Sequence, residues 1–154
     1  MTTNQIQKVN HTDSLAAKLI RNIFQRSYKV EAELVGVEDF PPLNRTIEQF
    51  VNSKTVFFGL YKNNELAGLI EIEFQNDLLD ICSLVVDPKY FRQGVAGELL
   101  DFVLDKFQPK ESIVETASVN NPAISLYNKK GFEIVKHWMT SFQIEKVKLI
   151  RRSH

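Results

Sequence analysis

The sequence predicts a mixed α/β domain, with early strands paired antiparallel and later strands crossing over through helices. Three observations carry this expectation. The apolar run Leu84-Val85-Val86 ends at Asp87-Pro88, and the basic, glycine-containing loop Phe91-Arg92-Gln93-Gly94-Val95-Ala96-Gly97 opens directly into a helix. A second strand, over residues 112–116, leads to the helix start Asn120-Asn121-Pro122-Ala123, and Gly131 stops that helix before another strand. Upstream, residues 55–61 and 66–74, joined by the turn Lys62-Asn63-Asn64-Glu65, read as a hairpin.

The remaining elements follow in order. Residues 1–12 read as an N-terminal arm, within which 5–9 can form a short first strand. Thr12 or Asp13 caps a helix whose apolar face is expected to comprise Leu15, Leu19, Ile20, Ile23 and Phe24. Residues 28–46 are ambiguous: Val30, Ala32 and Leu34 suggest alternation, yet the stretch fits a continued helix equally well, and Pro41-Pro42 forces an irregular connection. A short helix is expected around residues 46–52 and a long strand over 78–86. In the helix over 93–107, Val95, Leu99, Leu100, Val103 and Leu104 recur at helical spacing, so one face is core. Two strands within 133–150 and a tail over 148–154 complete the chain.

Composition narrows the function. The 154 residues, 44% hydrophobic, suffice for one well-filled core, and no repeat or linker divides the chain, so residues 1–154 read as a single domain. The 19 basic and 19 acidic residues balance, which argues against a general nucleic-acid binder. One cysteine, Cys82, forms neither an internal disulfide nor a cysteine-cluster metal site, and it reads as a small buried strand residue rather than a nucleophile. No apolar stretch reaches membrane-spanning length and the polar start lacks a signal-peptide core, so a cytoplasmic location is expected.

The loop at 92–97 gathers unpaired backbone N–H groups and the positive end of a helix dipole at one point, a seat for phosphate. Gly94 and Gly97 lack a Cβ, so a pyrophosphate can approach the backbone, with Arg92 adding a cation; a glycine turn kept for packing alone is the alternative.

Together with Val114-Glu115-Thr116-Ala117-Ser118-Val119-Asn120-Asn121-Pro122-Ala123-Ile124-Ser125-Leu126-Tyr127-Asn128-Lys129-Lys130-Gly131-Phe132, this loop closely resembles the GNAT superfamily of N-acetyltransferases over residues 56 to 147. Gly94 and Ala96 fit that family's pyrophosphate-loop pattern, whereas Phe91 stands where the family usually has Gln or Arg; the substitution affects one side-chain contact and leaves the backbone cradle intact. The resemblance implies a single-domain GNAT fold with a mostly antiparallel sheet of six or seven strands flanked by helices, and a splayed parallel pair that receives acetyl-CoA as co-substrate. It implies that residues 92–97 (Arg92, Gln93, Gly94, Val95, Ala96, Gly97) bind the pyrophosphate. Backbone groups of Leu84 and Val86 would meet the pantetheine arm, and Asn120 would either bond that arm or cap its helix.

Direct acetyl transfer needs a neutral amine, a polarised thioester and a proton for the departing thiolate. Tyr127, on the helix that the resemblance places over the coenzyme sulfur, can supply that proton as a phenol of pKa ~10. Glu115 is the candidate general base, with Glu71, Glu73 and Asp80 on neighbouring strands as competitors. No metal site is expected. The acceptor, a primary amine on a small molecule or peptide, is expected to meet residues 25–53 and 133–142, which include Tyr28, Glu31, Glu33, Glu38, Asp39, Phe40, His137 and Trp138. A homodimer is an expected assembly; nucleic acid and membrane are not expected partners. A non-catalytic acyl-CoA-binding or regulatory module on the same fold is the alternative function.

Overall fold

The computed structural model describes residues 5–153. Its centre is a seven-stranded sheet in the order β1-β2-β3-β4-β5-β7-β6, built from β1 (Gln5–Val9), β2 (Val56–Lys62), β3 (Glu65–Gln75), β4 (Leu78–Val86), β5 (Glu111–Ala117), β6 (Glu133–Met139) and β7 (Glu145–Arg152). Every pairing is antiparallel except β4 with β5. The expected mixed sheet, its strand number and its single parallel pair are therefore all present. The N-terminal segment departs from an arm, because Gln5–Val9 pairs along β2 from Tyr61 to Phe57; residues 1–4 and 154 lie outside the described residues. Lys148, Arg151 and Arg152, expected at the start of a tail, belong to β7 and pair with β5.

The β2–β3 hairpin turns at Asn63 and Asn64, whose φ values of 52° and 65° belong to the left-handed region that asparagine tolerates best among residues with a side chain. The β3–β4 turn repeats this with Asn76 and Asp77.

Four helices cover the two faces of the sheet. Helix α1 (Ser14–Val35) begins at Asp13, whose carboxylate accepts the Ala16 N–H, and ends at Gly36 in the left-handed region. It absorbs the ambiguous stretch as helix, so Val30 and Leu34 are exposed while Ala32 is buried. Its core face also differs from expectation. Ala17, Ile20, Ile23 and Phe24 are buried, but Leu15 and Leu19 are 73% and 60% exposed. At about 100° per residue these two leucines lie on the far side of the helix from Ala17 and Ile20. The small Ala17 is fully buried instead, in one cluster with Val9, Phe57, Leu69 and Val85 of the sheet.

Helix α2 (Ile47–Val51) carries a capping box in which Thr46 and Gln49 satisfy each other's backbone N–H groups. With α1 it packs Phe24, Phe50 and Phe57 into one core. Helix α3 (Val95–Phe107) covers the other face with Val95, Leu99, Leu100 and Val103. It sits so close that a Cβ at Gly68 of β3 would lie 2.5 Å from Val95 Cγ1. Helix α4 (Asn121–Lys129) joins the same core through Tyr127. No described helix is long and apolar enough to cross a membrane, and no described group of three or more His, Cys, Asp or Glu could hold a metal ion.

Candidate active site

The parallel pair is short. Strands β4 and β5 are in register only from Leu78↔Glu111 to Ile81↔Val114. Beyond that point β4 stays with β3 as far as Val86, and β5 stays with β7 as far as Ala117, so the two diverge. A bulge starts the divergence: Ile81 faces Ile72 and Ser83 faces Glu71, which leaves Cys82 as the extra residue that bends β4. The two facing strand edges therefore lack each other's hydrogen bonds, an arrangement that accepts an extended, amide-bearing ligand as an added strand would be accepted.

A cavity of about 500 Å³ opens at this split. Leu84, Glu115, Asn120 and Tyr127 line it, so four of the sequence candidates meet in one place. Val86 lies four residues beyond the bulge, at the end of β4. The loop at 92–97 follows β4 in the chain, after the turn Pro88–Tyr90, and none of its residues lines the cavity. Its entry is fixed by Asp87, which accepts the Lys89 N–H at 3.1 Å and an Arg26 guanidinium N–H at 2.7 Å, tying the turn to α1.

Arg92, with φ of 64°, and Gly94, with φ of 76°, turn the chain so that α3 starts at Val95 with Gly94 as its N-cap. The first-turn N–H groups of Val95, Ala96 and Gly97 have no intrahelical acceptors, and the space in front of Gly94 holds no atom within 4 Å of where a Cβ would sit. Lys62 donates to Gln93 Oε1 at 3.1 Å and adds a cation beside the loop. These residues fit a diphosphate. At Gly97 a Cβ would make ordinary contact with Leu126 of α4 at 3.7 Å. The Val95 side chain is buried in the core, so its backbone is the part available to a ligand. Phe91, in the position noted above, is 41% exposed.

Tyr127 is buried against Phe132, with ring centroids 5.6 Å apart. Burial, with Tyr28 and Glu31 nearby, raises its pKa above the ordinary tyrosine value, so the phenol keeps its proton throughout the neutral range. Asn120 caps α4, its Oδ1 accepting the Ala123 N–H at 3.3 Å, while its side chain also faces the cavity. Glu115 is half-exposed beside Lys146, with 3.8 Å between Oε1 and Nζ.

The competing carboxylates fare differently. Glu71 is buried yet outside the cavity lining, gripped by both terminal nitrogens of Arg45 at 2.8 Å, by Thr55 at 2.6 Å and by Ser83 at 2.9 Å. Burial alone would raise its pKa, but the hydrogen bonds from Arg45, Thr55 and Ser83 outweigh it and hold the carboxyl below the usual range. Such a group is a structural anion and a poor base. Neither Glu73 nor Asp80 lines the cavity. Cys82 is exposed rather than buried, and it lines the cleft. Desolvation, then Asp80, Glu71 and Glu73, push its thiol up to about 12, which keeps it from acting as a thiolate nucleophile.

Of the expected acceptor-side residues, Tyr28, Glu31 and Phe40 line the cavity. The others lie elsewhere: Glu33 and Glu38 line a separate groove with Arg26 and Lys29, Asp39 accepts from Asn44 at 3.0 Å, and His137 pairs with Glu145. Trp138 sits on β6 with Lys136 over its ring. Arg45 and the turn Thr140-Ser141-Phe142 are lining residues that the sequence did not single out. A signal for the α1 residues was available once the helix is extended past residue 28. Ala17, Ile20, Phe24, Tyr28 and Glu31 then form one stripe at spacings of three and four, and a carboxylate on an apolar stripe marks a site.

Comparison with known proteins agrees with this geometry. The chain is 36% identical over 129 residues to the UPF0157 protein YqkA of Bacillus subtilis (strain 168), an overlap of 83% of this chain and 38% of that protein. It is 27% identical over 96 residues to the ribosomal protein bS18-alanine N-acetyltransferase of Escherichia coli (strain K12), an overlap of 60% of this chain and 65% of that protein. The match thus spans less than two thirds of the length of either curated relative. Among solved structures, the ribosomal-protein-S18-alanine N-acetyltransferase of Escherichia coli superimposes with a TM-score of 0.77 at 20% identity, covering 97% of this chain and 94% of that one. The PaiA N-acetyltransferase of Thermoplasma acidophilum, solved in complex with coenzyme A, gives 0.76 at 17% identity over 98% and 99%. Residues 17–132 match the model of the acetyltransferase (GNAT) family, and with the split pair and the loop placed as described, the chain belongs to that family.

Proposed function

We propose that this protein is an acetyl-CoA-dependent N-acetyltransferase that passes the acetyl group directly to a primary amine of a small molecule or peptide. The observation that carries the proposal is the cleft at the β4–β5 split, where the strand edges diverge and Tyr127 and Glu115 line one cavity, with the open Gly94 loop following β4 in the chain. Acetyl-CoA supplies the activated acyl group. The amides of residues 93–97 hold its diphosphate and the β4 edge at Leu84 and Val86 receives its amide-bearing arm, with Asn120 fixing the far wall.

A neutral amine attacks the thioester carbonyl, a C–N bond forms and the C–S bond breaks. Tyr127 gives its proton to the departing sulfur, and Glu115 takes the amine's proton directly or through water. Replacing Glu115 by Gln should slow transfer most for acceptors of high pKa, which need the base most.

The bS18-alanine N-acetyltransferase relative makes peptide N-termini the first acceptors to assay. The test is free CoA release with peptide N-termini, polyamines, aminoglycosides and amino acids. Release that depends on one acceptor class, with the acetylated product identified, supports the proposal. Saturable acetyl-CoA binding with no acceptor-dependent release would favour the non-catalytic module, towards which Phe91 at the loop points.

A further inference from the structure

Two carboxylates, Glu71 and Glu31, have limited access to water, and they are compensated very differently. Glu71 has a bidentate arginine and two hydroxyls. Glu31, which ends the inward stripe of α1, has the Asn120 side chain as its hydrogen-bond partner and Lys146 within electrostatic reach, but forms no ion pair among the described residues. Desolvation outweighs both neighbours, so Glu31 holds its proton more tightly than an ordinary glutamate. A carboxylate left this short of partners is unfavourable to keep, and a ligand cation would relieve it. It also lines the cavity, whose wall includes the aromatic residues Tyr28, Phe40, Phe142 and Tyr127, while the two cations in that wall, Arg45 and Lys146, already pair with Glu71 and Glu115. Aromatic faces with one carboxylate among them attract a cationic nitrogen.

We propose that Glu31 anchors a positively charged group of the acceptor other than the amine that is acetylated, so that preferred acceptors carry two cationic nitrogens. The anchor belongs to the second nitrogen because Glu115 already serves the reacting amine as its base, whereas a group that only holds a cation gains by leaving that cation charged. The groups facing Glu31 are Tyr28 on its own helix, Asn120 and Tyr127 from the α4 side, and Lys146 from β7. Lys146 shares its charge with Glu115, which leaves Glu31 free to take an incoming cation. The inference rests on the acetyltransferase reading and names its substrate class.

Initial rates with acetyl-CoA on two matched pairs test it: putrescine against n-butylamine, and alanyl-lysine amide against alanyl-norleucine amide. The pairs separate a small diamine from a basic peptide as the source of the second cation. The wild type should favour the dicationic member of at least one pair by about tenfold or more in kcat/KM. Glu31→Gln should bring that ratio to within about twofold of unity through the acceptor KM, and Glu31→Asp should restore part of it. The wild-type ratio should also fall as the pH is lowered and Glu31 gains its proton, a response that a purely structural Glu31 would not give. Equal use of both members of both pairs by the wild type, or an unchanged ratio in Glu31→Gln, overturns the anchor while leaving acetyl transfer intact. No CoA release with any of these amines or with the wider acceptor screen removes the transferase reading, and the anchor with it.

Discussion

Replacing Tyr127 by Phe separates its chemical role from its structural one. The Tyr127 ring is 5% exposed and packs against Phe132, and Phe keeps that packing. The hydroxyl faces the cavity and makes no hydrogen bond to another described residue, so its removal orphans no buried partner. The change in stability should therefore stay under about 1 kcal/mol. The kinetic effect should be much larger. A positioned general acid contributes at least about 10²-fold, so kcat should fall by that factor or more, equivalent to about 2.7 kcal/mol in the barrier. The KM for acetyl-CoA should change little, because the hydroxyl acts when the sulfur departs rather than when the coenzyme binds. Burial raises the pKa of Tyr127, so loss of its proton cannot account for any alkaline fall in rate below the ordinary tyrosine value of ~10. Continuous detection of free CoA gives the rates, and single-turnover mixing establishes that chemistry limits them. A near-normal kcat in Tyr127→Phe under those conditions would mean that water or another side chain protonates the thiolate.

Three further outcomes are expected. Gly94→Glu should abolish acetyl-CoA binding in calorimetry by placing bulk and negative charge in the cradle, while circular dichroism remains native, because the site is open and the strain at φ 76° is only about 1 kcal/mol. Cys82→Ala should keep most activity, with intersecting initial-rate lines, since a thiol pushed up to about 12 is protonated at neutral pH; parallel lines with a trapped acetyl-cysteine would contradict this. Arg45→Ala strands the Glu71 carboxylate, whose side chain is 3% exposed, and should destabilise the fold by about 3 kcal/mol in urea titration at pH 7. The folded pKa of Glu71 is depressed, so its stabilisation is present above the ordinary glutamate value of ~4.3 and is lost as the pH falls through the depressed one. The gap between wild type and variant should close in that acid range, and a pH-independent gap would refute the pairing argument.

The parts legible in the sequence are those where backbone chemistry leaves a mark. Asn63-Asn64 and Gly94 announce left-handed turns, and Asn120 with Pro122 announces a helix start. The face of α1 was not legible in the same way. Large leucines outweigh Ala17 in any count of hydrophobicity, whereas close packing on a sheet favours the small residue and leaves Leu15 and Leu19 outside. Residues 28–46 hid their share of the cavity lining for a related reason. A helix stripe that ends in Tyr28 and Glu31 stops looking apolar where it meets the cavity. The exposure of Cys82 depends on a bulge set by the register of β3 against β4, a long-range property that no local pattern encodes.

Amide hydrogen exchange with and without acetyl-CoA tests the central claim, that the coenzyme lies in the β4–β5 split with its diphosphate on the loop. Protection should rise at residues 93–97 and along the diverging part of β4, over residues 82–86, while exposed β6 at the far edge of the sheet stays unchanged. Saturable binding that leaves both segments unprotected, or that protects another surface, would contradict the account.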